Sequence, residues 1–407
     1  MKLNYKNTFL IGLGFFTVGI VWNIYNVAVP LYLDELGLSG LIVGIVMAMD
    51  NIFAVVFQPV FGALSDKTST RYGRRMPYLL IGIPLSALFF FLVPFAKGSI
   101  VLLMIVLIFM NFAMSVYRAP TVALMPDLTP SSLRSKANGI INFMGGIGTS
   151  VSFLLGGLLF NIAEYLPFAA GSVILIATII IMYNFVHEPE SIEIEKKEPE
   201  KTANESKEQR LSLIFMLLAI FFWFTSYNCV ETYFSTYGQE ILGISKSQTS
   251  YLLLTVSVSF LVFCIPSGFI ASKIGRKKTI LSGIVLFLAC FVAMIFLRNP
   301  LYMYPVLALA GLGWALINIS SYPMVVEMGK REGIGKYTGY YYFFSMMASI
   351  VSPILFGFIK DYLGDGFLFI YSSIGLVFAL FFMMLVQHGE AKPAMQAGFE
   401  SYEHIDE

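Results

Sequence analysis

The chain has 407 residues, 57% of them hydrophobic and 13% charged, whereas a water-soluble domain carries roughly 45–50% apolar and about 25% charged residues; an integral membrane protein with many spans is the reading. A net charge of +1 excludes the basic face that nucleic-acid binding requires. Cys229, Cys264 and Cys290 lie in apolar stretches without CxxC spacing, and His187, His388 and His404 lie at helix ends or in the tail, so no disulfide framework, metal site or histidine relay is indicated and no cofactor is expected.

Twelve segments reach the roughly 20 mostly apolar residues that a spanning helix needs. They are centred near residues 20, 53, 87, 111, 149, 178, 223, 260, 288, 313, 349 and 377. The first follows Lys2 and Lys6 and exceeds the roughly 7–15-residue core of a cleaved signal peptide, so it reads as a retained helix. It carries Tyr25 and Asn26. The second carries Asp50 deep within its span. A charge at the bilayer centre costs roughly 2.5–3.5 kcal/mol on insertion scales, so such residues are functional candidates by default. Asp50 is therefore a candidate to exchange a coupling proton or cation, with a permanently held carboxylate as the alternative.

Between the second and third spans lies GALSDKTSTRYGRRMP, Gly62 to Pro77, which packs Asp66, Arg71, Arg74 and Arg75 into one break. The fourth span carries Asn111 and Arg118, and Asp127 and Arg134 follow at its end. At 1.5 Å per residue, Asp50 lies about 14 Å from the outer end of its span and Arg118 about 28 Å from its own, so direct pairing is left open. Arg118 can hold a substrate carboxylate or sugar hydroxyls through its fork of donors, or brace a gate with Asp127. In the fifth span Gly139, Gly145, Gly146, Gly148, Gly156 and Gly157 permit close helix approach.

The stretch from His187 to Arg210 is dense in Glu and Lys and reads as a solvated linker. The division is an N-terminal six-helix half over 1–187, a linker over 188–210, a C-terminal half over 211–388 and a tail over 389–407. The seventh span places Tyr227, Asn228 and Glu231 on one helix face. The tenth carries Trp314, Asn318 and Ser321, with Glu327 at its end. For any one of these aromatic or amide residues, packing through interhelical hydrogen bonds is the competing role.

Internal repetition supports two halves. GFIASKIGRKKT, Gly268 to Thr279, echoes the Gly62–Pro77 break; Tyr25-Asn26 matches Tyr227-Asn228 at an offset of 202; and Asp127, Gly139 and Gly157 match Glu327, Gly339 and Gly357 at 200. Of the 26 lysines and arginines, Lys97, Lys246, Arg298 and Lys360 alone fall in the loops opposite the N-terminus, and Arg118 lies within a span. That asymmetry predicts cytoplasmic termini in the plasma (cytoplasmic) membrane.

Twelve spans, a charged central linker and the G-x-x-x-D…R-x-G-R-R loop together resemble the major facilitator superfamily over nearly the whole chain. Within it, SDKTSTRYGRRMPY, with its insertion Lys67 to Thr70, and RAPTVALMPDLTPSSLRSKANG, Arg118 to Gly139, are similar to sucrose/proton symporters and their bacterial relatives, and less closely to glycoside-pentoside-hexuronide:cation symporters. The resemblance implies an all-α fold of twelve transmembrane helices in two pseudo-symmetric six-helix halves. It also implies a central cavity lined by the first, fourth, seventh and tenth helices, and an Asp66 seated at the N-terminus of the eleventh helix to hold the outward-facing state. The second half has Ser272 at the matching position, so its latch should be weaker. Asp127 with Arg134, and Glu327 with Lys330 or Arg331, are further expected gate pairs. Ala54 and Gln58 before Pro59 replace the paired aspartates of melibiose-type sodium symporters, and Asn111 stands where the plant symporters carry a proton-linked aspartate. Coupling here must use another carboxylate, with Asp50 and Glu231 the candidates.

The expected function is proton-coupled symport of a sugar, a disaccharide or glycoside, by a monomer in contact with membrane lipid. An exporter of small amphipathic compounds and a non-transporting sensor on the same fold are the alternatives. Neither a phosphate-binding G-x-x-x-x-G-K-[ST] run nor a nucleophile–base pair occurs in the sequence, which argues against direct ATP coupling and against an enzyme.

Overall fold

A computed structural model describes residues 4–129, 134–186, 188, 207–328 and 334–389. Among them are twelve helices long and apolar enough to cross a membrane: α1 (Tyr5–Glu35), α2 (Gly40–Lys67), α3 (Met76–Ala96), α4 (Ile100–Leu128), α5 (Arg134–Leu159), α6 (Leu166–Phe185), α7 (Lys207–Glu240), α8 (Lys246–Ile274), α9 (Arg276–Phe296), α10 (Pro300–Met328), α11 (Ile334–Leu363) and α12 (Leu368–Leu385). Each expected centre falls inside its helix. Most of the linker, residues 189–206, and the tail beyond Gly389 lie outside the described residues.

Helix starts follow local chemistry. Ser39 caps α2 through the Ile42 N–H, and Ser245 with Gln248 forms a reciprocal capping box at α8. Interior prolines at 30, 59, 84, 94, 266, 305, 323 and 353 are compatible with spanning helices because neighbours re-satisfy the freed carbonyls. The helices alternate in direction, so α1 begins and α12 ends at one face, here the terminal face, and the other is the distal face.

The first six helices pack chiefly among themselves, as α1 on α5, α3 on α4 and α6, and α2 on α4; the last six repeat this as α7 on α11 and α12, and α10 on α8 and α9. The two sets meet where α2 crosses α11, α5 crosses α8 and α1 meets α7. A Cβ on Gly44 would overlap the Pro353 carbonyl, so only glycine permits the α2–α11 approach.

The repeated glycines show where the sets touch. At the distal ends, Gly157 lies against the Tyr251 ring of α8, and Gly357 lies against the Gly40 backbone of α2. At the terminal ends, their companions Gly139 and Gly339 have no neighbour among the described residues within 4 Å of a built Cβ. The distal face is shut, and the helices diverge toward the terminal face.

Candidate functional site

On α1, α2 and α4 the expected residues Tyr25, Asp50, Asn111 and Arg118 come together. Asp50 is 5% exposed, and its carboxylate oxygens accept from the Asn51 amide at 2.8 and 2.9 Å. The Tyr25 hydroxyl donates to the Val46 carbonyl at 3.4 Å and lies beside Asn111, whose amide donates back to Leu107 at 2.9 Å. Arg118 forms no ion pair with Asp50 or with Asp127. Its guanidinium lies 5.6 Å from the Trp22 ring centroid, a cation–π arrangement, and its field reaches Asp50. No hydrogen bond to a described residue occupies its donors.

On the other side, Tyr227 of α7 stacks on Trp314 of α10 at 4.2 Å between ring centroids and 5° between planes, and Phe224 meets Trp314 edge-on. Tyr227, Glu231 and Trp314 line a cavity of about 130 Å³ that α5, α8 and α9 complete with Thr149, Phe153, Ser257, Phe260, Phe287 and Phe291 among others. Glu231 has neither a hydrogen bond nor a cation among the described residues. The amides of Asn26 and Asn318 are likewise without a protein hydrogen bond among the described residues. Asn228 turns its amide back to the Phe224 carbonyl at 2.7 Å, and Ser321 donates to the Asn318 carbonyl at 3.1 Å and sits 3.3 Å from the Tyr341 hydroxyl. Those two are engaged in packing.

The terminal-face cluster differs from the expected pairing. Among the described residues Asp66 pairs with Arg75, a contact within the first six helices. Asp127 accepts from Arg74 at 2.6 Å and from Arg75 at 2.9 Å. The Arg134 side chain lies outside the described residues, as do Lys330 and Arg331; Glu327 pairs with Arg276 of α9. Arg71 lies over the neighbouring Tyr72 ring, 4.6 Å from its centroid, away from both carboxylates. Burial works against the Arg75 charge, but hydrogen bonds and charge from Asp127 and then Asp66 outweigh it and raise its affinity for the proton above the ordinary guanidinium value. Glu188, just past α6, accepts backbone N–H groups from Arg74, Arg75 and Met76 at 2.7–3.0 Å. It thereby caps α3, an end opened by Gly73 at φ +99°. Sequence reasoning had placed Glu188 in an inert linker.

The contacts that close the distal face were also missed. Asp361 of α11 accepts from the Gly40 and Leu41 N–H groups at 2.5 and 3.0 Å, capping α2 from the opposite set of helices. Lys360 lies 2.6 Å from Asp34, the Tyr233 hydroxyl lies 3.1 Å from the Gly40 carbonyl, and Ser150 meets Ser257 at 2.8 Å. Glu164, between α5 and α6, takes Lys97 from its own set and Lys246 from the other, the latter at 2.7 Å. Both ammonium groups also sit over the Tyr32 ring. Burial alone would raise the Glu164 value, but the two lysines outweigh it and hold the carboxyl below its usual 4.5. The available signal was the scarcity of distal cations: of the four, Lys97, Lys246 and Lys360 all serve this closure, and Arg298 donates to Tyr237 at 3.0 Å.

Among the described residues no three His, Cys, Asp or Glu side chains converge as a metal site. The arrangement has the chemistry of a binding cavity with one closed and one open end.

Comparison with known proteins agrees. The family model described as Major Facilitator Superfamily matches residues 11–353. The tetracycline resistance protein, class H, of Pasteurella multocida is 24% identical over 358 residues, covering 84% of this chain and 85% of that protein. The general alpha-glucoside permease of Schizosaccharomyces pombe is 29% identical over 180 residues, covering 39% of this chain and 32% of that one. The crystal structure of the nucleoside transporter NupG superposes with a TM-score of 0.73 at 15% identity, covering 94% of this chain and 100% of that one. The chain is an integral membrane protein and belongs to the major facilitator superfamily of transporters.

Proposed function

We propose that the protein is a proton-coupled sugar symporter that works by alternating access, with cytoplasmic termini. One observation carries this reading: the side chains of Arg118, Glu231, Asn26 and Asn318, from α4, α7, α1 and α10, have no protein hydrogen bond among the described residues, and two of them flank the Tyr227–Trp314 stack on its own helices. Sugar hydroxyls both donate and accept, so a guanidinium, a carboxylate and amides together satisfy them, while pyranose C–H faces pack on aromatic rings. Asp50 and Glu231 are the groups to carry the proton, because neither has a cationic partner in direct contact. The partial likeness to an alpha-glucoside permease is consistent with this substrate class.

A second reading, export of small amphipathic compounds, is favoured by the largely apolar lining of the cavity and by the likeness along most of the chain to a tetracycline resistance protein. Counterflow in proteoliposomes separates the two. Preloaded unlabelled sugar drives transient accumulation of a labelled sugar from a mono- and disaccharide panel under the first reading. Silence across the panel, with accumulation of an amphipathic dye, supports the second and contradicts the first.

A further inference from the structure

The cavity is divided by polarity. Of the five lining side chains that carry a polar atom, Ser257 is bonded to Ser150 at 2.8 Å, and the Thr149 hydroxyl accepts from Asn23 at 3.1 Å and donates to the Gly145 carbonyl. Both are already engaged within the protein. Glu231, the Tyr227 hydroxyl and the Trp314 indole N–H are left without a protein hydrogen bond among the described residues; the first two lie one helical turn apart on α7, and Trp314 of α10 stacks on Tyr227. Beyond them the wall is Phe153, Phe234, Phe287 and Phe291, each no more than 5% exposed, with Phe260 and Leu253.

Sugar hydroxyls placed against that wall would lose their water without gaining a partner, a net cost. An apolar group gains there by leaving water. The whole lined space, its Tyr227–Glu231 end included, is about 130 Å³, close to the roughly 150 Å³ of an apolar protein cavity that accepts benzene, so it takes one ring, with the glycosyl ring beyond Glu231 toward Arg118, Asn26 and Asn318. We infer that the phenylalanine-lined end of the cavity is an aglycone subsite, so that the preferred substrate is a glycoside bearing an aryl or compact branched-alkyl group rather than an unsubstituted disaccharide. The inference rests on the sugar reading above, since it takes the polar end to hold the glycosyl ring. It also accounts for an apolar pocket in a sugar site, which that reading alone leaves unexplained.

The test uses the full-length protein in nanodiscs and isothermal titration with matched phenyl and methyl glycosides of glucose and galactose in both anomers, together with phenol alone. The expected result is that, for at least one sugar, the phenyl glycoside binds about 10- to 100-fold more tightly than its methyl partner, the gain expected for burying one ring. Ala310→Leu, which fills the apolar end, and the milder Phe260→Leu should each bring the phenyl-to-methyl ratio toward one; the methyl glycoside serves as the check on folding. Equal binding of both partners, or a ratio unchanged in both variants, overturns the aglycone subsite and leaves the sugar reading standing. Phenol binding as tightly as the phenyl glycoside, or no binding by any glycoside, overturns both.

Discussion

The Lys360 ammonium lies 2.6 Å from the Asp34 carboxylate and so ties α11 to α1 across the two sets of helices. Both side chains are at most a quarter exposed, and the next residue, Asp361, caps α2 in the same direction. A carboxylate at a helix N-terminus is favoured by the helix dipole and by the otherwise orphaned N–H groups. Asp361→Asn together with Lys360→Gln should therefore shift the balance toward an open distal face by about 1–2 kcal/mol, or roughly 5- to 30-fold. Spin-label distances between cysteines placed at Ile162 and Leu301 read this directly. A distribution unchanged from the parent would contradict the latch.

Glu164 makes the same face sensitive to acid, with a definite sign. Its carboxyl is held below 4.5 in the folded protein, so its contribution is fully present above that value and is lost as pH falls through the lower folded value. The Glu164 contribution to distal closure should be constant above about pH 4.5 and weaken only below it. Glu164→Gln should remove this acid limb and loosen the closed face at neutral pH. A label distance that already changes between pH 7 and 6 in the parent and persists in the variant would assign the sensitivity to another group.

At the terminal face, Glu188 supplies a charged cap to the N–H groups of Arg74, Arg75 and Met76 at the start of α3, beside the Arg74–Asp127–Arg75 cluster. Glu188→Ala should cost about 1–2 kcal/mol and lower the midpoint of thermal inactivation by a few degrees. Glu188→Gln, which keeps an acceptor, should lie between the two. Identical midpoints for all three proteins would show that the cap does not stabilise the fold.

Much of the architecture was legible because hydropathy is strong: twelve apolar runs became twelve helices, and a carboxylate or guanidinium inside a run stands out whatever its partner. Asp50, Arg118 and Glu231 were visible for that reason, and the Tyr227–Trp314 stack places two expected cavity residues face to face. The distal latch was not legible. Asp34, Glu164, Lys246, Lys360 and Asp361 sit near helix ends, where a charge usually means solvent, and their pairing depends on which helices of the two sets cross. The same limit applies to Asp66, which pairs with Arg75 of its own set, and to Ser321 and Asn228, which local helix back-bonding engages. The phenylalanine wall was hidden for the opposite reason, since five helices contribute apolar residues that look like packing in any one of them.

The central claim is that sugar and proton move together through this cavity. Proteoliposomes in weakly buffered medium, with no imposed gradient, should alkalinise the outside when a transported sugar is added, and Asp50→Asn or Glu231→Gln should abolish that signal while sugar exchange continues. Sugar entry without any change in external pH, or an undiminished signal in both variants, would contradict the account.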